Sequence, residues 1–190
     1  MQRWLNHIEQ INNNLKSLTI FDSTGAERKP NLAFRQWVDH TLHVRKNAKT
    51  IFLIGNGASA SMASHVAADL AKNAKIRTEV FSDLSLITAI ANDMSYEEVF
   101  AEPLRRRMSV GDMLIAISSS GRSPNVLRAT EEAKKRNGLV ITLSAMSQGN
   151  PLSKCGLLNF YVPTNTYGLA ETCHAAILHY WLDHVVSSQK

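Results

Sequence analysis

Apolar positions along the chain change their spacing from segment to segment, and these changes predict strands alternating with helices. A continuous apolar run at residues 51–54 is typical of a short strand that is buried on both faces. Four later short runs are also predicted to be strands, and the segments between them have helical periodicity. This alternation favours a three-layer α/β/α sandwich with a five-stranded parallel sheet. The predicted strands cover residues 51–54, 78–81, 112–117, 139–143 and 157–162.

Two helices are predicted ahead of the first of these strands. In residues 1–18 the apolar side chains recur at spacings of three and four, which places them in one stripe along a helix. The stripe has a near-heptad period, so packing on a partner subunit and packing on the chain's own domain are both open. A turn-rich loop at 21–30 leads to a second helix at 32–47. The stripe consists of Trp4, Ile8, Ile11, Leu15 and Leu18.

We expect a single domain over residues 1–190, with a helical arm at 1–48 and an α/β core with a C-terminal helix at 49–190. Pro103 lies inside one of the later predicted helices and is expected to kink or divide it. The later helices are predicted at 84–91, 96–108, 124–136 and 169–187.

The formal charge of +5 and the isoelectric point near 9.4 raise the question of a nucleic-acid partner. Lys and Arg occur in short groups at 45–49, 105–107 and 134–136, each on a predicted helical face or helix end. No aromatic residues interleave with these groups, and no nucleic-acid motif occurs. We therefore expect solvated surfaces or an attraction for small phosphorylated substrates, and no nucleic-acid partner.

Features of a secreted or membrane protein are also missing from the sequence. The N-terminus lacks a signal-peptide pattern, and no apolar run approaches the roughly 20 residues of a membrane span. The two cysteines form neither a metal-type pair nor a disulfide framework. We therefore expect a cytoplasmic protein without a membrane partner.

Residues 55–59, Gly-Asn-Gly-Ala-Ser, follow the first predicted strand and open a helix. Such a turn suits an anion, because free backbone N–H groups and the positive end of the helix dipole converge there. The third glycine of a dinucleotide fingerprint is missing, and so is the Lys-Ser/Thr of a Walker loop. On its own this motif identifies no ligand.

Residues 118–123, Ser-Ser-Ser-Gly-Arg-Ser, follow the third predicted strand and also open a helix. Four hydroxyl groups and a glycine at a helix start fit a phosphate cradle, because hydroxyl and N–H groups can surround the phosphate oxygens. A serine-rich turn that only caps a helix is the alternative for a single such motif. Two such turns after two strands of one sheet favour a phosphate site.

These two motifs carry a family resemblance. The pattern Ser-x-Ser-Gly-x-Ser after an apolar strand, with Gly-Asn-Gly-x-Ser before a helix that carries His65, resembles the sugar isomerase (SIS) domain. Within that superfamily the chain is similar to the phosphoheptose isomerases from about residue 51 to residue 185. The resemblance implies the SIS fold and a homotetramer that interconverts sedoheptulose 7-phosphate and a heptose 7-phosphate, an early step toward surface-polysaccharide heptose.

The same resemblance implies substrate-binding roles for individual residues. Residues 118–123, which we call the serine loop, would hold the phosphate with help from Ser59. Residues 55–57, which we call the glycine turn, would let the substrate approach. An Asn-Asp pair would contact sugar hydroxyls. The residues concerned are Asn56, Gly57, Ser59, Asn92, Asp93, Ser118, Ser119, Ser120 and Ser123.

In family members that bind zinc, two helices supply its ligands, and the corresponding residues here are His65, Asp69, Glu171 and His179. His65 and Asp69 are four residues apart and share one helical face, which suits a metal ion. Glu171 and His179 are separated by about 12 Å of helix rise. A shared ion therefore requires Glu171 to lie in a frayed first turn or to reach along the helix. His174, between them, is expected to be a packed, structural histidine.

The resemblance also implies an acid–base pair, a glutamate and the last histidine, which correspond to Asp69 and His179. Aldose–ketose isomerisation moves a proton between adjacent carbons through an enediol, and a carboxylate and a histidine on facing helices can divide that work. Asp69 is one methylene shorter than the family's glutamate, and Glu171 replaces the family's glutamine. Whether Asp69 or Glu171 acts as the catalytic base is therefore left open by the sequence.

Two other functions stay open at this point. Some SIS-domain relatives are non-catalytic adaptors or phosphosugar sensors, although adaptors tend to lose the histidine that corresponds to His179, which this chain retains. Residues 165–170 are shorter than the equivalent family segment and lack its acidic sugar contact, so isomerisation of a different sugar phosphate is the other alternative. The choice between a dimer and a tetramer is also open.

Overall fold

The computed structural model describes residues 1–188, which contain a six-stranded sheet in the order β1-β6-β5-β4-β2-β3. Strands β2 to β6 are parallel and occupy the five predicted positions, so the predicted parallel sheet is confirmed. The strands are β1 (Thr19–Asp22), β2 (Thr50–Gly55), β3 (Arg77–Val80), β4 (Met113–Ser118), β5 (Leu139–Ala145) and β6 (Leu158–Val162).

Strand β1 corrects the predicted number of strands from five to six. It pairs antiparallel with β6 at the edge of the sheet. Ile20 and Asp22 are buried and alternate with half-buried neighbours, which is the period of a strand with one covered face. A four-residue run is too short to stand out between a helix and a turn-rich loop. It brings part of the predicted helical arm into the sheet.

Seven α-helices within residues 1–188 accompany the sheet. Helices α2, α3 and α7 share one apolar cluster with the strands, and α4, α5 and α6 share a second cluster. The predicted three-layer sandwich is therefore confirmed. The same residues contain no helix with the length and hydropathy needed to cross a membrane. The helices are α1 (Gln2–Lys16), α2 (Pro30–Lys46), α3 (Ala58–Ala74), α4 (Leu84–Asp93), α5 (Ala101–Arg107), α6 (Pro124–Lys135) and α7 (Tyr167–Ser187).

The central strands are apolar along their whole length because both of their faces are covered. In β2, Ile51 and Leu53 belong to the cluster with α2, α3 and α7, whereas Phe52 and Ile54 belong to the cluster with α4, α5 and α6. Successive side chains of a strand point to opposite faces, so each face receives every second residue. The continuous apolar pattern is the result.

The single helix predicted at 96–108 is in fact a 3₁₀ turn, Tyr96–Glu98, followed by α5. Pro103 is the third residue of α5, where a backbone N–H has no acceptor within the helix, so the proline is accommodated without loss of a hydrogen bond. The division predicted from Pro103 therefore occurs a few residues before it.

Each of the three arginines of α5 forms at least one ion pair, which refines the expectation of a solvated face. Arg105 lies 3.0 Å from Glu98 and 3.6 Å from Glu132, and it also pairs with Glu102. Hydrogen bonds from the Arg128 and Arg105 guanidinium groups hold the pKa of Glu98 below its ordinary value. These pairs fix the 3₁₀ turn against α5 and α6.

The two halves of the apolar stripe on α1 differ in whether they pack on the chain's own domain. Ile11 and Leu15 are partly buried against the cluster that includes α7, so this half packs on the chain's own domain. Trp4 and Ile8 are exposed, with 63% and 44% of their surfaces accessible. The first half of the stripe is therefore uncovered in a single chain.

The topology places a crevice between β2 and β4. Helix α3 leads from β2 to its neighbour β3 on one side, and the chain then returns to β4 on the other side of β2. Ligands of open α/β sheets bind at such a reversal, beyond the carboxyl ends of the strands. The motifs at 55–59 and 118–123 begin at the last residues of β2 and β4.

Candidate active site

Two helix starts face this crevice without a capping side chain. Within the described chain, neither Gly57 before α3 nor Ser123 before α6 caps its helix with a side-chain hydrogen bond. The first N–H groups of a helix have no acceptor within the helix and carry its positive dipole end. Both helix starts therefore suit an anion, as predicted for residues 55–59 and 118–123.

The serine loop between β4 and α6 brings its hydroxyl groups together. The Oγ of Ser118 lies 3.0 Å from the Oγ of Ser123 and 3.5 Å from the Oγ of Ser120. The backbone N–H of Arg122 donates to the Ser120 Oγ over 3.3 Å. The Ser119 Oγ is buried and has no hydrogen-bond partner within residues 1–188. Converging hydroxyl groups of this kind can donate to several oxygens of one phosphate.

A buried asparagine shapes the serine loop from behind. A Cβ atom on Gly121 would lie 1.9 Å from the Oδ1 of Asn150, and the φ angle of Gly121 is +62°. Asn150 cannot easily give way, because its amide donates to Ser144 Oγ over 3.1 Å and its Oδ1 accepts from the N–H of Ser153. Gly121 is therefore required by both backbone conformation and space.

The glycine turn after β2 approaches β4 closely. A Cβ atom on Gly55 would lie 2.6 Å from the Ser59 Cβ and 3.0 Å from the carbonyl oxygen of Ile117. The missing side chain lets the start of α3 pack against the end of β4. Ser59, which is almost fully buried, thereby reaches the serine loop.

These two turns and the start of α7 line a cavity of about 170 Å³, which we call the serine pocket. This volume is below the roughly 300–1,000 Å³ of typical small-molecule sites, so the pocket suits one end of a substrate. Tyr167 and Glu171 contribute the α7 side. Tyr167 had no predicted role, although it shares a helical face with Glu171 four residues later. The pocket is lined by Asn56, Ser59, Ile117, Ser118, Ser119, Ser120, Ser123, Tyr167 and Glu171.

A second cluster consists of His65, Asp69 and His179. One possible ligand atom from each residue lies within 4.8 Å of those from the other two. The His65 Nε2 is 3.4 Å from an Asp69 carboxylate oxygen, and the two imidazole rings are 5.4 Å apart between centroids. Both histidines are exposed and Asp69 is half-buried. The structure therefore brings together three of the four predicted metal ligands.

Glu171, the fourth predicted ligand, lies at the serine pocket instead. It is not a member of the cluster that His65, Asp69 and His179 form in the described chain. Eight residues of regular helix separate Glu171 from His179, and α7 is helical over this whole interval. The rise along the helix places the two side chains at different levels of α7.

The Asn92-Asp93 pair lies at the C-terminal end of α4, outside the lining of the serine pocket as described. The Asn92 Nδ2 donates to the Asp93 carboxylate over 2.9 Å, and both side chains are exposed. Contact of this pair with sugar hydroxyls stays a prediction.

His174 is a structural residue, as predicted. It is fully buried, and its Nε2 donates to the carbonyl oxygen of Ser144 over 3.2 Å. Burial lowers the pKa of His174 to about 4, so the imidazole is neutral near pH 7. The bond attaches α7 to β5 near the serine loop.

Asn125, in the first turn of α6, was missed by the sequence reasoning. Its amide pairs reciprocally with the amide of Asn56, and each of the two hydrogen bonds measures 2.9 Å. Asn125 is buried, whereas Asn56 lines the serine pocket. A polar residue just inside a helix start was the available signal, but without the fold it does not indicate a partner 69 residues away.

Comparisons with known proteins identify the family of this chain. A family model for the SIS domain matches residues 21–145. A phosphoheptose isomerase of Helicobacter pylori is 36% identical over 159 residues, covering 80% of this chain and 81% of that protein. One from Nitratiruptor sp. is 40% identical over 140 residues, covering 70% of this chain and 74% of that protein. The solved structure of phosphoheptose isomerase GmhA from Neisseria gonorrhoeae has a TM-score of 0.81 at 26% identity, with 97% of this chain and 98% of that chain covered. The chain therefore belongs to the SIS-domain family and, within it, to the phosphoheptose isomerases.

Proposed function

We propose that this isomerase interconverts sedoheptulose 7-phosphate and a heptose 7-phosphate, in the supply of heptose for surface polysaccharides. The observation that carries the proposal is that a phosphate-type pocket and a carboxylate–histidine cluster share the same two helices. Ser59 and His65 lie on α3, and Glu171 and His179 lie on α7. Helix rise separates the members of these pairs by about 9 and 12 Å. A seven-carbon sugar phosphate, whose reacting carbons are far from its phosphate, suits this separation.

The serine pocket would bind the phosphate and orient the sugar. The hydroxyl groups of the serine loop and the N–H groups at two helix starts supply donors, and holding the phosphate fixes the position of the distant carbons. Glu171 is the carboxylate nearest to this end of the substrate, because it lines the pocket itself.

Asp69 is proposed as the catalytic base, because it lies beside His179 and away from the phosphate end. The base takes a proton from C1 of the ketose while O2 gains one, which gives the enediol. O1 then loses its proton and C2 receives one, which gives the aldose. His179 is placed to exchange the oxygen-bound protons. Glu171 is the alternative base, and the Glu171→Gln variant separates the two: it keeps most of the turnover if Asp69 is the base.

The residues of the cluster fit a zinc ion, because two imidazole nitrogens and a carboxylate oxygen are a donor set that zinc accepts. His65, Asp69 and His179 would hold the ion, whereas Glu171, the fourth ligand implied by the family resemblance, lines the serine pocket. A bound zinc ion would polarise the substrate carbonyl and stabilise negative charge on the enediolate oxygens. Asp69 would serve both as a ligand of the ion and as the proton acceptor, since a carboxylate has two oxygens.

A homotetramer in the cytoplasm is also part of the proposal. The exposure of His65 and His179 supports it, because isomerisation through an enediol benefits from a site that excludes water. The uncovered side chains Trp4, Leu5 and Ile8 support it as well, since a neighbouring subunit would bury them. The cytoplasmic location is kept from the sequence and stays a prediction.

The test is turnover of sedoheptulose 7-phosphate, with and without added zinc, by the wild type and by two variants of α7. His179→Ala should lower kcat by at least about 100-fold, within the range for loss of a general acid–base group. His184→Ala is the matched control, because His184 is an exposed histidine on the same helix that bonds to the carbonyl of Tyr180. No aldose from the wild type under either condition would contradict the substrate and favour a binding or adaptor role. Unchanged turnover in His179→Ala would contradict the mechanism.

A further inference from the structure

The inference concerns Asn125, which is 1% exposed and lies behind the glycine turn rather than in the serine pocket. It is the second residue of α6 and follows Pro124. Its side chain joins α6 to the turn after β2, so it connects the two halves of the phosphate site.

The hydrogen bonds determine how both amide groups are oriented. The backbone N–H of Val126 donates to Asn125 Oδ1 over 3.0 Å, and a backbone N–H can only donate. Oδ1 of Asn125 is therefore on that side, and it also accepts from Asn56 Nδ2. The Nδ2 of Asn125 consequently donates to Asn56 Oδ1. One backbone group of α6 thus sets the orientation of both side chains.

The orientation decides what Asn56 can offer to a ligand. Its Oδ1 already accepts from Asn125 and, over 3.2 Å, from the hydroxyl of Tyr96. An amide nitrogen has two hydrogens, and the second hydrogen of Asn56 Nδ2 has no acceptor in the part of the chain that is described. Because Asn56 lines the serine pocket, this hydrogen is available to an anion there.

We propose that Asn125 is a positioning residue for the phosphate: it holds the Asn56 amide so that an N–H donor, and not a carbonyl oxygen, is presented to the serine pocket. The inference rests on the proposed function, because it assumes that this pocket binds the phosphate of the substrate. If the Asn56 amide were reversed, its Oδ1 would face the Oδ1 of Asn125, and the hydrogen bonds between the two amides would be lost. The Asn56 oxygen would also face the anion and repel it.

The test measures the affinity for inorganic phosphate by calorimetry, together with KM and kcat for sedoheptulose 7-phosphate. Asn125→Ala should weaken phosphate binding and raise KM about tenfold while kcat stays within about twofold, because binding to substrate and transition state is lost equally. Thr130→Val is the matched control: Thr130 is a buried polar residue of the same helix, and its hydroxyl donates to the carbonyl oxygen of Leu127 within α6. It should lower Tm without a change in phosphate affinity.

A double variant separates positioning from general loss of structure. If Asn125 acts through Asn56, Asn56→Ala with Asn125→Ala should bind phosphate no more weakly than Asn56→Ala alone. If Asn125→Ala does not fold, Tyr96→Phe removes another bond to Asn56 Oδ1 from an exposed hydroxyl and should weaken phosphate binding about two- to threefold. If Asn125→Ala folds and binds phosphate as tightly as the wild type, the inference is overturned. If Asn125→Ala does not fold, wild-type phosphate affinity in Tyr96→Phe overturns it. Independent addition of the two alanine effects would also overturn it.

The two levels of the proposal can fail separately. A wild-type protein that binds phosphate but does not convert sedoheptulose 7-phosphate contradicts the proposed function alone, because the phosphate affinities of the variants still test Asn125. A wild-type protein that binds no phosphate overturns both.

Discussion

His174 is a neutral imidazole enclosed between α7 and β5, and its burial makes the stability of the protein depend on pH. Its pKa is about 4 in the folded chain, against an ordinary value of 6.5. Below pH 6.5 the unfolded chain therefore binds more protons than the folded chain, and stability falls on acidification. Between pH 7 and pH 5 we expect this histidine to lower the free energy of unfolding by about 2 kcal/mol.

Urea unfolding at several pH values measures this effect. The variant His174→Gln should lose the corresponding slope, whereas His184→Gln, which changes an exposed histidine of the same helix, should keep it. An unchanged slope in His174→Gln would show that other groups cause the dependence.

At the residue scale, the sequence predicted the contacts of side chains that belong to a family motif. It did not predict contacts between residues that are far apart in the chain. The pattern predicted that His65 and Asp69 share a helical face, which the ion-pair distance of 3.4 Å bears out. It could not find the contact of Asn56 with Asn125, because the two residues meet only after β2 and β4 pair in the sheet.

At the scale of a single element, the serine loop depends on its contact with the loop that follows β5. Gly121 has a positive φ angle and lies against the buried side chain of Asn150. The prediction is that Gly121→Ala lowers the free energy of unfolding by about 1–3 kcal/mol, since it combines a strained φ angle with a clash. It should also raise KM at least about tenfold, because the serine hydroxyl groups move apart.

Gly25→Ala is a matched control, because Gly25 has a φ angle of +83° and open space around its missing side chain. It should show the backbone strain and leave KM unchanged. Equal effects of the two substitutions on KM, measured by steady-state kinetics, would contradict the proposed role of the Asn150 contact.

Long elements with a clear apolar pattern were predicted from the sequence, whereas the short strand β1 was not. Strands β2 and β4 were found because they are continuous apolar runs, and they are apolar because helices cover both faces of the sheet. Strand β1 was missed because it has only four residues and its ladder partner β6 lies about 140 residues later in the chain, a contact that no local pattern encodes.

At the scale of the whole molecule, the exposed half of α1 predicts association. Trp4, Leu5 and Ile8 are exposed apolar side chains in the first half of α1. Ile8→Glu should dissociate the oligomer and lower turnover at the same protein concentration, because a carboxylate is costly to bury in an apolar interface. Sedimentation velocity combined with the activity assay measures both effects.

The control is Gln10→Glu, which adds the same charge to an exposed polar position of the same helix. It should leave the assembly and its activity as they are. A wild-type protein that sediments as a monomer and is fully active would contradict the tetramer proposal.

Isomerisation of a ketose 7-phosphate by this chain would move a proton between C1 and C2. The most direct measurement is to incubate sedoheptulose 7-phosphate with the protein in D₂O and to follow the sugar by ¹H NMR and mass spectrometry. We expect an aldose heptose 7-phosphate to appear and to carry solvent deuterium at C2, because the base exchanges its proton with solvent before returning it. Sugar that remains ketose and gains no deuterium, with or without zinc, would contradict the account.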